Sequence, residues 1–408
     1  MSSEAPRALT LRDMMLPAFV PTLIFEMGVG SVLPIIALSA LHLGASAAEA
    51  AVMLALMGIG QVLADVPAVR LAQRIGDRRA MLIASALAVL AFAGCLAARS
   101  LVTLGAALLV VGGSLAVFYL ARHSYLTVSA PVELRARAMS TLAGSHRIGL
   151  FLGPFVGAGA IALTDVRGAY VVAMVMSAAT GGVLLLVPDV ESAPGPATEG
   201  RTTGSWDLLV RYRRLFLTLG IGILSVGAVR AARQTVLPLW ADHLGISAET
   251  TSLVFGAAGA AEMLLFYPAG RVMDTYGRLA IAVPSMVLIG GGMMALPLST
   301  GVVSLTLFAV VMGIGNGVGS GIMMTIGADA APVAERVRFL GLWRFVSDSG
   351  NASGPVVVSV VATVWSLAAA IVTLGATGLL AAAALGRWTS RYSAYATPSS
   401  VRPHRQRR

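Results

Sequence analysis

Twelve apolar runs, each long enough to cross about 30 Å of hydrocarbon, leave this chain of 408 residues few ways to fold. They span residues 15–41, 48–70, 80–98, 102–128, 138–163, 168–188, 215–240, 249–271, 279–298, 302–327, 339–364 and 367–386. Only 12% of the residues are charged, against about 25% in a soluble protein, so most of the surface cannot face water. The reading is an all-α integral membrane protein of twelve transmembrane helices.

The runs fall into two sets of six that repeat. Pro67-Ala68 and Gly76 recur 201 residues later as Pro268-Ala269 and Gly277, and Arg78 recurs within one residue of that offset as Arg278. The same register relates Leu43-Gly44 to Leu244-Gly245, Pro131 to Pro332, and Arg135 and Arg137 to Arg336 and Arg338. It also relates Gly149, Gly153 and Pro154 to Gly350, Gly354 and Pro355. One match is chance, but a register held across half a chain is a duplication. It predicts two pseudo-symmetric six-helix bundles, 1–188 and 215–387. The stretch 189–214, with Pro194, Gly195, Pro196, Gly200 and Gly204, reads as a flexible linker carrying a short amphipathic piece at 206–212. The basic, polar tail 388–408 is expected to be disordered.

Every one of the 29 basic residues is Arg, and their placement predicts orientation. Twenty-two lie at the N-terminus, in the loops around Arg70–Arg79, Arg135–Arg137, Arg271–Arg278 and Arg336–Arg338, in the linker, or in the tail. The opposite loops hold only Arg99 and Arg167. That asymmetry predicts both termini and the linker in the cytoplasm. The net charge of +10 is spread over alternate loops, so it does not mark a nucleic-acid surface. The N-terminus lacks a cleavable leader pattern, so the first run is expected to remain as a span. The single Cys95 lies in an apolar run without ligand-like neighbours and reads as a small core residue.

The duplicated loop and the helix-five glycines resemble the major facilitator superfamily, whose loop signature runs Gly-x-Leu-Ala-Asp-Arg-x-Gly-Arg-Arg/Lys. The first copy here, Val69 to Arg78, lacks the leading Gly and has Gln73 for the Asp; the second, Gly270 to Arg278, keeps Gly270 and Asp274. The resemblance implies a charge latch of Arg74, Gly76, Arg78, Gly270, Asp274, Gly277 and Arg278, with Asp65 as a substitute carboxylate in the first copy. Gly149, Gly153, Pro154 and Gly157 are similar to an element of the family's proton-coupled drug exporters, although glycines four apart are also common helix packing. The resemblance further implies a small-molecule substrate, protons as the coupling ion, a monomer, and a place in the cell (plasma or inner) membrane.

Ionisable residues inside the runs are the candidate chemistry, because a mid-bilayer charge costs about 2.5–3.5 kcal/mol and needs a cavity or a partner. Counting about 1.5 Å per residue puts Glu26, Glu262 and Asp348 near the midplane. Glu26 has no charged neighbour within a turn of its own helix. It is read either as the site that exchanges a proton against substrate or as a fixed ion pair with an arginine of another helix. Glu262 is a second coupling candidate, or a carboxylate held by Arg344 or Arg230. Arg344 and Asp348 are four apart and either pair with each other or serve transport. Arg122, after Tyr119, resembles the family's helix-four arginine implicated in proton transfer; the alternative is snorkelling to the interface. Arg147 is nearly central, beside His146, the one histidine inside a run worth mutating. Arg230 and Arg233 share a helix face. Asn316 and Asn351 either line the pathway or bond across helices.

No phosphate-cradling Gly-x-x-x-x-Gly-Lys sequence exists, no Lys is present to complete one, and no nucleophile with a placed base appears. Neither a cofactor, a metal site nor an enzymatic activity is expected. The expectation is a secondary transporter, a proton-coupled exporter of small, partly apolar compounds of the kind that confers drug resistance. The alternatives are an importer or facilitator of an anionic or zwitterionic metabolite, suggested by five intramembrane arginines, and a non-transporting membrane receptor or scaffold.

Overall fold

A computed structural model of the chain describes residue 12 and residues 14–187, 205–332 and 335–399, and every regular element among them is helical. The first span opens with a π-helical turn, Met15–Phe19, and continues as α1 (Val20–Val32). Pro34 has no N–H to carry the ladder on, and α2 (Ile36–His42) resumes after it. There follow α3 (Ala47–Ile75), α4 (Asp77–Ala97), α5 (Leu101–Ser129), α6 (Val132–Leu163) and α7 (Arg167–Leu185). The linker, described only from residue 205, carries α8 (Ser205–Arg211) where the amphipathic piece was expected, then the single turn α9 (Arg213–Leu215). The second set is α10 (Ile221–His243), α11 (Ala248–Tyr276), α12 (Leu279–Ala295), α13 (Val302–Val318), α14 (Ile322–Ala330), α15 (Arg336–Val364) and α16 (Leu367–Tyr392). Eleven stretches of these helices are long and apolar enough to cross a membrane. The twelfth expected span, α15, has 29 residues, but Arg344, Asp348 and Asn351 in its first half keep it below that apolarity.

The repeat is present in the backbone itself. α3 and α11 begin and end at positions related by 201, as do α5 and the α13–α14 pair. Ser46 and Ser247, also 201 apart, both cap a helix: Glu49 N donates to Ser46 Oγ and Thr250 N to Ser247 Oγ. Gly76 (φ 87°) and Gly277 (φ 91°) end α3 and α11 in a region of backbone space that is costly for any residue with a Cβ. The repeated turn glycines, Gly44 and Gly245, also have positive φ. Both α3 and α11 therefore run five residues past the ends expected at 70 and 271, because polarity ends the apolar run before glycine ends the helix. The copies diverge in one place. α5 is continuous, whereas its counterpart breaks at Gly319–Gly321, with Gly321 left-handed at φ 78°.

By contacts the chain divides into two compact units. One comprises Met1–Ile35 and Leu56–Thr198; the other comprises Ile36–Ala55 and Glu199–Arg408. In the first, α1 packs on α6 and α7, and α4 on α5 and α7. In the second, α10 packs on α15 and α16, α12 on α13 and α16, and α11 on α13, with α2 against α10. Beyond Arg387 the expected disorder is not what is found. α16 continues to Tyr392, and Tyr395 and Ala396 then accept from Arg278 N (3.1 Å) and Leu279 N (3.0 Å). Those tail carbonyls satisfy donors that the start of α12 would otherwise leave orphaned. Residues 400–408 lie outside the described part of the chain.

Candidate functional site

Glu26 is the best-enclosed charge in the first unit, with none of its surface exposed. Arg122 Nη1 donates to its Oε1 at 2.9 Å, and Tyr119 Oη donates to Oε2 at 3.1 Å. His146 Nδ1 stands 2.6 Å from Oε1. Three helices supply these groups: Glu26 from α1, Tyr119 and Arg122 from α5, His146 from α6. The Arg122 guanidinium also covers the Tyr119 ring at 4.3 Å, and that ring meets His146 edge-on at 5.9 Å. One residue before Glu26 and Tyr119, Phe25 stacks on Phe118 at 4.1 Å, which holds α1 and α5 in register. Glu26 thus has an arginine partner from another helix, and a histidine beside the pair. Arg122 is buried in this cluster and does not snorkel.

The close approach that builds the cluster comes from the α6 glycines. A Cβ placed on Gly149 would stand 2.5 Å from Leu23 O and 2.6 Å from Glu26 Cβ. One on Gly153 would stand 2.6 Å from Met27 O, and one on Gly157 2.9 Å from Ser31 O. Gly149, Gly153 and Gly157 are thus the face on which α1 lies, and Pro154 sits inside the same helix. The second unit has the corresponding device, with Gly350 and Gly354 of α15 facing Leu224 and Ala228 of α10.

Glu262 on α11 pairs with Arg233 of α10, Nη2 to Oε2 at 3.2 Å. A Cβ on Gly317 would stand 2.5 Å from Glu262 O, so this carboxylate too sits where a glycine lets two helices approach closely. Arg230 Nη2 donates to Asn316 O at 3.0 Å, in the last turn of α13 before the break, where helix carbonyls lack partners. Arg344 and Asp348 pair with each other at 3.4 Å on an exposed face of α15. Arg147 is half-buried beside His146. Among the described residues no group of three or more His, Cys, Asp or Glu is placed to hold a metal ion.

The units are asymmetric at the level of chemistry. Moved by 201, Glu26, Tyr119, Arg122 and His146 become Gly227, Ser320, Met323 and Ser347, all neutral. Ser347 Oγ and Met323 Sδ stand 3.5 Å apart, so the second unit keeps the neighbourhood without the charges.

The repeated loops are also asymmetric. In the first, Arg78 donates from Nε to Leu184 O (2.8 Å) and from Nη2 to Leu185 O (3.1 Å), closing the carbonyl end of α7. Arg74 and Asp65 lie exposed on α3. In the second, Arg278 Nε donates to Asp329 Oδ2 at 2.9 Å, and Arg278 also covers the Tyr395 ring at 4.9 Å. Asp274, the expected partner, is 70% exposed and 3.9 Å from Arg278 Nη1. Gly270 stands within α11 with open space beside it. The partner missed in the sequence is Asp329. A carboxylate in the last turn of a helix opposes the dipole and calls for a cation nearby, and that was the available signal.

The chain belongs to the Major Facilitator Superfamily: the family model matches residues 18–355 and 219–406. No curated protein sequence matches it. Solved structures of the same fold include the nucleoside transporter NupG, at 14% identity and TM-score 0.75, covering 94% of this chain and 100% of that one. A D-xylose-proton symporter matches at 15% identity and TM-score 0.69, covering 94% and 98%. A bacterial homolog of the human lysosomal transporter Spinster matches at 14% and 0.67, covering 99% of both chains.

Proposed function

We propose that this chain is a proton-coupled secondary transporter of small, partly apolar compounds, working by alternating access in the cell membrane as a monomer, with both termini in the cytoplasm. The observation that carries the proposal is Glu26: a carboxylate without exposed surface, touched by one permanent cation, one titratable ring and one phenol. A buried ion pair also needs its remaining lone pairs satisfied, which Tyr119 does, so the group that a purely structural pair leaves unexplained is His146. A carboxylate that alternates between holding a proton and holding Arg122 uses all three. A proton moving down 100 mV supplies about 2.3 kcal/mol, enough for a gradient of roughly 50-fold.

Glu26, Glu262 and Asp348 each hold an arginine, which offsets at least three of the five positive charges that favoured an anionic substrate. Export is the direction implied by the resemblance of the α6 glycines to those of drug exporters. A second reading, import, stays open because those glycines are accounted for by packing on α1 and have counterparts on α15. The test is reconstitution into liposomes with an imposed pH gradient and a panel of fluorescent lipophilic amines and neutral dyes. Export predicts dye movement opposite to the protons, abolished by Glu26→Gln. Movement with the protons would establish import. Absence of any flux across the panel, with a stable protein partner recovered instead, would favour a receptor or scaffold.

A further inference from the structure

Resting on the coupling role of Glu26, we infer that His146 is the port through which protons reach that carboxylate. Glu26 has no exposed surface and cannot exchange with water directly. Its three contacts differ in what they can pass on. Arg122 is 5% exposed, and a guanidinium is a permanent cation that does not relay protons. A phenol ordinarily ionises near pH 10, outside the range in which a proton would be relayed, which leaves Tyr119 a hydrogen-bond donor. His146 keeps 31% of its side chain exposed, and an imidazole ordinarily titrates near pH 6.5.

The ring spans the gap. Nδ1 is buried and 2.6 Å from Glu26 Oε1, near enough for an ion pair but not aligned as a hydrogen bond, so the exposed portion of the side chain lies elsewhere, toward Nε2. Once a small tilt aligns Nδ1–H with Oε1, the transfer balances without flipping the ring. Neutral His146 starts with its proton on Nδ1 and takes a second from water on Nε2. The Nδ1 proton then passes to Glu26 Oε1, leaving a neutral carboxylic acid and an imidazole protonated on Nε2. Release reverses both moves: the acid returns its proton to Nδ1, and Nε2 gives its proton to water.

The charged and titratable groups near His146 are few. Glu26 faces it from α1, Tyr119 and Arg122 from α5, and Arg147 adjoins it on α6. On α7, which also packs against α6, the ionisable residues are Arg167 and Tyr170, both in the first turn. Among the described residues, Glu26 Oε1 at 2.6 Å is the acceptor placed beside the ring.

The experiment needs no substrate. Purified protein in lipid bilayers is subjected to a pH jump, and the carboxylic-acid C=O band that Glu26→Gln removes is followed by time-resolved infrared spectroscopy. The expected result is that His146→Gln slows the appearance of that band at least about tenfold, and that imidazole added to the buffer restores the rate. His146→Asn serves in its place where the Gln variant does not fold. Formation of the band at the wild-type rate in either folded variant overturns the port, as does slowing that imidazole fails to rescue. A wild-type protein with no Glu26-dependent band between pH 5 and pH 9 overturns the coupling role of Glu26 itself, a result distinct from the others.

Discussion

Asp329, in the last turn of α14, receives Arg278 Nε at 2.9 Å, and both side chains are nearly buried, 10% and 12% exposed. The repeated loop is therefore held by a carboxylate 51 residues away rather than by the Asp274 of its own motif. Removing one member of a buried pair leaves the other charge uncompensated and costs about 3–5 kcal/mol, whereas an exposed pair contributes about 0–1 kcal/mol. Asp329→Asn is expected to lower the thermal midpoint of the purified protein by several degrees, and Asp274→Asn to leave it nearly unchanged. Equal shifts in a fluorescence-detected melting curve would mean that Arg278 does not depend on Asp329.

The tail shares that carboxylate. Ser393 Oγ donates to Asp329 Oδ2 at 2.6 Å, and Tyr395 lies under the Arg278 guanidinium. Groups in one network do not contribute independently, with coupling of about 0.5–3 kcal/mol between neighbours. Truncation after Tyr392 combined with Asp329→Asn should therefore destabilise by less than the sum of the two changes. A double-mutant cycle on melting temperature measures this, and strict additivity would separate the tail from the ion pair.

Gly76 and Gly277 occupy the same repeat position with nearly the same φ, yet their surroundings differ. A Cβ at Gly76 would meet nothing within 4 Å, while one at Gly277 would stand 2.6 Å from Ala396 O. Alanine at either position suffers the left-handed penalty, of about 1–2 kcal/mol. At Gly277 it must also displace the tail from the start of α12. Gly277→Ala is thus expected to destabilise more than Gly76→Ala. If truncation after Tyr392 is made first, the two substitutions should become alike.

How much of this was legible in the sequence depends on which physics set each feature. Span positions were readable because the bilayer forces long apolar runs, and only the polar α15 falls short of that pattern. The duplication was readable because Gly76 and Gly277 answer to a local backbone requirement that no other residue meets well. The candidates Glu26 and Arg122 were visible as charges in apolar helices, but not their meeting, since the two are 96 residues apart. Tyr119 stood out only as Arg122's neighbour, and Asp329 was passed over although a carboxylate in the last turn of a helix calls for a cation nearby. The order of the tail up to Ser399 was hidden too: a polar, basic composition describes solvation, and the donors of Arg278 and Leu279 that the tail satisfies belong to another loop.

The α6 face separates packing from propensity within one helix. Gly149 sits where α1 lies against α6, and an added methyl there would press on Leu23 O and the Cβ of Glu26. Gly159, ten residues along the same helix, has open space within 4 Å. Overpacking a tight contact costs about 1–3 kcal/mol, whereas Gly→Ala in an unobstructed helix gains up to about 1 kcal/mol. Gly149→Ala is expected to lower the melting temperature and to displace Glu26 from Arg122 and His146, while Gly159→Ala holds or raises it. The pair is read by thermal unfolding together with the Glu26 carboxyl band in infrared spectra. A Gly149→Ala protein as stable as the wild type, with that band unmoved, would show that α1 does not lie on α6 through these glycines.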